Sequence, residues 1–213
     1  MTERLRVIVV SDPLCSWCWG TAAALDVARS TLAREVDFDL LLGGINIDSR
    51  NPVGAYGRLR LARLWREVHE VTGQPFASAP SGEPFVYNST LLCAVLEAVR
   101  QRRGEPPFDL LRRLQEGFFA RGENVTSAER LEGILRAAGE DAEIVLRDAQ
   151  RADVQARTWA GFELARSHGT HAMPNVVLDD GGARRLLAGG YLDASTLVTT
   201  IEGAIRRSSR PRV

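Results

Sequence analysis

Two cysteines lie close together near the start of the chain, in the segment Cys15-Ser16-Trp17-Cys18. If a helix begins at the first cysteine, this spacing places the second in the first turn, so that both sulfurs can lie on one side. Two sulfurs in that position can form a disulfide, or they can be two of the ligands of a metal ion. The pair therefore indicates either thiol–disulfide chemistry or half of a metal site.

The other cysteine and the histidines do not complete a metal site. A closed zinc site needs four ligands, and only Cys93, His69, His168 and His171 remain, none in a second paired spacing. Two inert buried thiols are the other alternative, but cysteines at a helix start after a proline turn are seldom plain core residues. We therefore favour redox chemistry, and we expect no metal and no cofactor.

The elements around the pair form a predicted βαβ unit. Residues 5–10 are an apolar run that ends in the turn Ser11-Asp12-Pro13, as a buried strand does. Residues 15–34 have an Ala-rich helical composition, and residues 36–42 alternate between apolar and polar side chains like a second strand. A strand, helix and strand of these lengths predict two parallel strands joined by a helical crossover.

This context distinguishes the two thiols. The unpaired N–H groups and the positive dipole end of the helix favour a thiolate at Cys15. A thiolate is the nucleophile of disulfide exchange. We therefore expect Cys15 to attack a substrate disulfide and Cys18 to resolve the mixed disulfide.

The middle of the chain, from about residue 46 to residue 152, is predicted to be helical except for a Pro-rich loop at residues 74–87. Its apolar residues follow helical spacing in four runs: Leu61, Leu64, Trp65 and Val68; Leu92, Val95, Leu96 and Val99; Leu110, Leu111, Leu114 and Phe118; Leu131, Ile134, Leu135 and Ala138. Thr126 and Glu129 have the spacing of a capping box before the last run, and Gly139 is placed to end that helix.

The C-terminal part returns to strands. A helix is predicted over residues 153–168, ending at Gly169, and the apolar run at residues 176–178 predicts a strand. Asp179-Asp180-Gly181-Gly182 has the composition of a hairpin turn, which leads to a strand around Leu186-Leu187 and then to a helix over residues 194–206.

Together these elements predict an α/β, thioredoxin-like fold. The order is βαβ, a helical block and then ββα, which gives a mixed four-stranded sheet with a large all-helical insertion. We expect the thioredoxin-like domain to comprise residues 1–48 and 153–213, and the helical insertion domain to comprise residues 49–152.

Two segments resemble those of a known family. The segment from Ser11 to Gly20, with its Asp-Pro lead-in and Cys-x-x-Cys-Trp-Gly sequence, is similar to the active-site segment of DsbA-like oxidoreductases, most of all in the cytoplasmic FrnE-like branch. The segment from Thr170 to Pro174 is similar to the family's cis-proline loop. The resemblance covers nearly the whole chain, including the helical insertion, and implies that Pro174 faces the cysteines.

The same resemblance suggests further site residues. Met173 would pair its backbone with an extended substrate, and His171 would lie near the thiols. Trp17 is expected to be exposed beside the thiols, whereas Trp19 is expected to pack at the junction with the helical block. Ser16 offers a hydroxyl group to the site.

The central dipeptide departs from the periplasmic DsbA pattern. Those enzymes carry Pro-His, whereas this chain has Ser16-Trp17, which brings no positive charge to the thiolate. We therefore expect a less oxidising couple than that of periplasmic DsbA. The third cysteine, Cys93, is expected to be a buried free thiol.

The charge composition gives no indication of a nucleic-acid or membrane partner. The 27 basic residues, all arginine, equal the 27 acidic residues, so that nothing indicates nucleic acid or an anionic membrane surface. The absence of lysine excludes Schiff-base chemistry on the chain. The N-terminal apolar run is too short for the core of a signal peptide, and we expect a cytoplasmic protein.

The leading interpretation is thiol–disulfide exchange with a protein or peptide disulfide, with glutathione or another thiol as a possible reductant. One alternative is a glutathione-dependent isomerase or transferase of the kappa-like branch, although those enzymes carry serine where this chain has Cys15. The other alternative is a non-catalytic adaptor that presents its helical block to another protein.

Overall fold

The structure, a computed structural model, describes residues 5–81, 84–167 and 172–208. Its strands are β1 (Arg6–Ser11), β2 (Asp37–Leu42), β3 (Asn175–Asp179) and β4 (Arg184–Gly189), and they form one sheet in the order β2-β1-β3-β4. Strand β1 is parallel to β2 and antiparallel to β3, and β4 is antiparallel to β3. The predicted mixed four-stranded sheet is therefore confirmed.

Eight α-helices accompany the sheet in the described part of the chain. They are α1 (Ser16–Leu32), α2 (Ala55–Thr72), α3 (Thr90–Arg103), α4 (Phe108–Gln115), α5 (Ala128–Ala137), α6 (Ala142–Asp148), α7 (Ala152–Ser167) and α8 (Ala194–Ser208). A π-helical turn over Glu116–Ala120 continues α4. Helices α2 to α6 follow β2 in the chain, which confirms the expected thioredoxin-like fold with a large helical insertion.

The sheet is covered on both faces. Helices α1 and α8 pack against the face that carries Val7, Val176 and Leu178. Helix α7 packs against β2, where Gly161 approaches Leu41. Because both faces are covered, β1 is apolar almost throughout, as the continuous run in the sequence predicted.

The helical insertion shares its core with the sheet. Trp65, Phe118 and Phe119 form an aromatic cluster with ring centroids 5.0 to 5.5 Å apart. Trp19 of α1 stacks on Phe119 at 6.4 Å, and its indole N–H donates to the carbonyl of Pro75 at 3.0 Å. Trp19 therefore lies at the junction of the two parts, as expected.

Two details of the insertion differ from the sequence-based expectation. The prediction of a capping box formed by Thr126 and Glu129 is wrong. The N-cap residue of α5 is Ser127, and the hydroxyl of Thr126 donates to Asn124 Oδ1 at 2.7 Å. The π-helical turn and α6, with its Asp141 cap, were not predicted. Gly139 does follow α5 with a positive φ of 79°, whereas the predicted stop at Gly169 lies outside the described residues.

Candidate active site

The cysteine pair lies where β1 passes into α1. Cys15 is the N-cap residue of α1, and its sulfur accepts a hydrogen bond from the backbone N–H of Cys18 at 3.2 Å. Both thiols are free, with 7% of Cys15 and 3% of Cys18 exposed. The sulfur of Cys15 thus lies at the N-terminus of α1 and accepts one of its unpaired N–H groups, in the position that the spacing predicted.

The loop before β3 lies next to the pair. The thiol of Cys15 lies 3.8 Å from the carbonyl oxygen of Met173, and the Met173–Pro174 peptide bond is cis. Two hydrogen bonds of 2.8 Å hold this loop, one from the side-chain amide of Asn175 to the Ala172 carbonyl and one from the N–H of Gly190 to the Pro174 carbonyl. The structure therefore brings together two regions more than 150 residues apart in the sequence.

Ser16 and Trp17, the two predicted site residues between the cysteines, lie at the start of α1. Ser16 is buried, and Trp17 is half-buried, so the exposed position expected for Trp17 is only partly realised. The hydroxyl of Thr21 donates to the carbonyl of Trp17 at 2.9 Å and ties it to α1. His171 lies outside the described residues.

A buried carboxyl group behind the pair was missed by sequence reasoning. Asp12 is fully buried, and its carboxylate oxygens accept hydrogen bonds from the N–H of Leu14 at 2.8 Å, the N–H of Ile45 at 3.0 Å and the hydroxyl of Ser89 at 2.6 Å. The thiol of Cys93 lies 3.6 Å from the same carboxylate. Cys93 is a buried free thiol, as expected, and it belongs to this network.

The helical insertion also holds the turn between Asp12 and Cys15. The hydroxyl of Tyr87 donates to the carbonyl of Leu14 at 2.5 Å, and the side-chain amide of Gln115 donates to the carbonyl of Asp12 at 3.1 Å. The only sequence signal for this arrangement was the Asp12-Pro13 pair ahead of the cysteines. Its partners are distant in sequence and follow no local pattern.

Burial sets the protonation of the groups around the pair. Desolvation raises the pKa of Asp12, although the hydrogen bond from Ser89 opposes the rise. Desolvation, together with the hydrogen bond and charge of Cys15, raises the pKa of Cys18 well above its ordinary value, and the charge of Asp12 adds to this. Tyr87 is likewise held as a neutral phenol, because burial and the charge of Cys15 raise its pKa.

Neither a metal-binding cluster nor a membrane-spanning helix occurs among the described residues. Across residues 5–81, 84–167 and 172–208, no cluster of three or more His, Cys, Asp or Glu side chains is placed to bind a metal ion. Among the helices described above, none is both long enough and apolar enough to cross a bilayer.

Two solved structures of other proteins are similar to this chain over nearly its whole length. No family model matches the chain. A proposed protein disulfide isomerase from Nitrosomonas europaea matches with a TM-score of 0.86 and 25% identity, over 96% of this chain and 99% of that one. The cytosolic disulfide reductase DsbM from Pseudomonas aeruginosa, solved with glutathione, matches with a TM-score of 0.76 and 22% identity, over 94% and 99% of the two chains.

A curated protein is also similar in sequence. The ClpXP adapter protein SpxH of Halalkalibacterium halodurans is 24% identical over 150 residues, which are 68% of this chain and 49% of that protein. The matched region thus spans about half the length of that relative.

The matches to solved structures show a DsbA-like thioredoxin fold, as the resemblance of the sequence implied. The narrower assignment to the FrnE-like branch stays a prediction. The fold and the adjacent free thiols together support a thiol–disulfide oxidoreductase in the general sense.

Proposed function

We propose that the chain exchanges disulfides with protein or peptide substrates, with Cys15 as the nucleophile and Cys18 as the resolving thiol. The observation that carries this proposal is the position of the Cys15 sulfur, which accepts the Cys18 N–H at the start of α1 and lies beside the Met173–Pro174 loop. An anionic sulfur is favoured at a helix N-terminus.

The reaction transfers two electrons from the cysteine pair to the substrate disulfide. The Cys15 thiolate attacks one sulfur of the substrate disulfide, forming a Cys15–substrate bond while the other substrate sulfur leaves as a thiolate and takes up a proton. The Cys18 thiol loses its proton and attacks the Cys15 sulfur, which releases the second substrate thiol. The substrate is then reduced, and Cys15 and Cys18 are joined as a disulfide.

The two thiols differ in a way that suits these roles. Cys15 is the more exposed of the two sulfur-bearing residues, and its sulfur already accepts a backbone hydrogen bond. Cys18 is more deeply buried, and its raised pKa keeps it a thiol until the mixed disulfide forms. The burial and the raised pKa of Cys18 limit its attack on external disulfides.

The surrounding residues are proposed to bind the substrate. Met173 presents its backbone carbonyl beside Cys15, where an extended peptide can pair with it, and the loop is held where the carbonyl of Pro174 accepts the N–H of Gly190. Ser16 and Trp17 lie between the two cysteines and are proposed to contact the residues flanking the substrate disulfide. His171 is included on the resemblance of its loop alone.

A thiol must return the pair to the reduced state. Two thiols of glutathione or a comparable reductant supply the two electrons and become a disulfide. The fold shared with DsbM, a cytosolic reductase solved with glutathione, supports this choice of reductant. We also propose that the chain works in the cytoplasm, where reduction or isomerisation is favoured over net oxidation.

Reduction of insulin disulfides tests the proposal. We expect the wild type to reduce insulin in the presence of glutathione, and Cys15→Ser to be inactive because the attacking sulfur is gone. Cys18→Ser should accumulate a mixed disulfide with the substrate, detected by mass spectrometry. Cys93→Ala is the matched control, since it removes a cysteine outside the pair and should retain activity. Wild-type protein that neither reduces insulin nor forms a Cys15–Cys18 disulfide in a glutathione titration would contradict the proposal.

The similarity to SpxH favours one second candidate, an adaptor that binds another protein. An adaptor should bind its partner equally well in the Cys15→Ser form, because binding does not require the nucleophile. The oxidoreductase should lose its activity in that form.

A further inference from the structure

One surface beside the site is strongly basic in a chain that is neutral as a whole. Between Asp48 and Glu67 the sequence contains five arginines and no acidic residue. Most of this stretch is the first part of α2. The positive charge is therefore concentrated on one element of the insertion.

The exposed face of α2 combines this charge with apolar side chains. Tyr56, Leu59, Arg60 and Arg63 follow the spacing i, i+3, i+4 and i+7, so they lie on one face of the helix, and all four are exposed. Tyr56 is 76% and Leu59 71% exposed. We refer to these four residues as the α2 face.

The two arginines of this face have no ion-pair partner in the described part of the chain. Neither Arg60 nor Arg63 forms an ion pair there within 4.0 Å, whereas Arg103 pairs with both Asp109 and Glu140 at 2.7 Å. Exposed tyrosine and arginine side chains are also typical of protein interfaces.

The α2 face borders a cleft that is connected to the active-site turn through the side chain of Tyr87. The cleft, of about 590 Å³, lies between α2 and residues 46–53 and is lined by Arg60, Leu64, Asn46 and Tyr87, among others. Tyr87 is the link to the site, because its hydroxyl donates to the carbonyl of Leu14, the residue before Cys15. A chain lying in this cleft would therefore contact a residue that is hydrogen-bonded to the active-site turn.

The wall of the cleft opposite α2 is held in place. The side-chain amide of Asn88 donates to the carbonyls of Ile47 and Ser49, both at 3.0 Å. The N–H of Val53 donates to the carbonyl of Phe85 at 2.9 Å. A preformed wall lowers the cost of ordering the site when a ligand binds.

We propose that the α2 face and this cleft bind an acidic, extended segment of the substrate, next to the disulfide that Cys15 attacks. Carboxylates of the segment pair with Arg60 and Arg63, because the guanidinium group matches the geometry of a carboxylate. Apolar residues of the segment cover Tyr56 and Leu59. This inference rests on the proposed function, since it names the class of substrate that the same site prefers.

The test uses two synthetic peptides of equal length, each with one internal disulfide. One carries a flank with three glutamates, and the other carries three glutamines at the same positions. We expect the wild type to reduce the glutamate peptide with the higher kcat/KM. In Arg60→Gln/Arg63→Gln this value should fall about 3- to 10-fold, as expected for the loss of two exposed ion pairs. The value for the glutamine peptide should not change.

Arg34→Gln/Arg207→Gln is the matched control, because it removes the same charge from two exposed arginines outside α2. It should leave the kcat/KM of both peptides unchanged, and added salt should reduce the wild-type preference. Equal kcat/KM values for the two peptides would overturn the proposal, and so would equal losses in the two double variants.

A binding measurement separates this proposal from the proposed function. Fluorescence anisotropy of the labelled glutamate peptide with Cys15→Ser reports docking without any thiol chemistry. Tighter binding of the glutamate peptide than of the glutamine peptide, lost on adding Arg60→Gln/Arg63→Gln, supports docking even if exchange fails. Exchange with both peptides, but no such difference in binding, would contradict the docking proposal alone.

Discussion

At the scale of single residues, Asp12 connects the thiols to the helical insertion. A buried carboxyl group is costly unless its oxygens are hydrogen-bonded, and this one accepts three hydrogen bonds at 2.6 to 3.0 Å. Two of its donors, Ile45 and Ser89, lie beyond β2 in the sequence. The carboxyl group therefore ties the active-site turn to later parts of the chain.

The raised pKa of Asp12 predicts a specific dependence of stability on pH. Because burial raises this pKa above its ordinary value of 3.8, the native state binds the proton more tightly than the unfolded chain does. The contribution of Asp12 to stability is then present at low pH and declines as the pH rises from 3.8 through the native pKa. In Asp12→Asn this decline should vanish, with a difference in slope of at most about 1.4 kcal/mol per pH unit.

Urea unfolding of both proteins at several values between pH 3.5 and pH 8 (about one unit apart) measures this difference. Ser89→Ala serves as the control, since it removes one hydrogen bond to the carboxylate but keeps the titrating group. It should retain the decline and extend it to higher pH, because that bond lowers the Asp12 pKa. Parallel stability curves for the wild type and Asp12→Asn would contradict the prediction.

The site could be predicted from the sequence only where its signal was local. The spacing of Cys15 and Cys18 and the turn before them placed the pair at a helix start, which is where the structure has it. Pro174 was found through the resemblance of its loop to a known family. The partners of Asp12 were not predicted, because Ser89 and Cys93 belong to a helix start whose orientation depends on tertiary packing.

At the scale of elements, the approach of α1 to α2 depends on a glycine. A Cβ atom at Gly20 would lie 2.8 Å from Thr72 Cγ2 and 3.0 Å from Val68 Cγ1. Gly20→Ala should therefore lower the free energy of unfolding by about 1 kcal/mol, because overpacking outweighs the gain of about 1 kcal/mol in helix propensity. Thermal or urea unfolding measures this change.

The partner residue offers a control for this contact. Thr72→Ser removes the crowded methyl group but keeps the hydroxyl, which donates to the carbonyl of Val68 at 2.7 Å. Combined with Gly20→Ala, it should restore part of the lost stability, giving a non-additive double-mutant cycle. Additive effects, or a stabilising Gly20→Ala, would mean that the two helices are not in close contact here.

Element types were predictable because they follow from periodicity and turn residues. The βαβ unit, the hairpin at Asp179–Gly182 and α8 were all predicted, and Gly181 takes the positive φ of 81° that such a turn requires. The errors concern helix ends and irregular turns. The start of α5 was wrong because Asn124 captures the hydroxyl of Thr126, a competition that the capping-box pattern does not include.

At the scale of the whole molecule, one hydrophobic core joins the two parts of the chain. The same cluster contains Val9 and Leu40 of the sheet, Trp19 of α1 and Phe118 of the insertion. We keep the division into residues 1–48 with 153–213 and residues 49–152 as a proposal about topology. The continuous core implies that the two parts are not independent folding units.

This shared core predicts a single cooperative unfolding transition. Ile201→Ala in α8, where the side chain is fully buried in a second cluster with Val7 and Val176 of the sheet, should lower the free energy of unfolding by about 2–5 kcal/mol. The midpoint should shift equally in tryptophan fluorescence, to which buried Trp65 of the insertion contributes, and in far-UV circular dichroism. Val27→Ala, a truncation at a side chain that is 46% exposed, should change stability by less than about 0.5 kcal/mol. Two transitions, with the fluorescence midpoint unmoved by Ile201→Ala, would show instead that the insertion unfolds on its own.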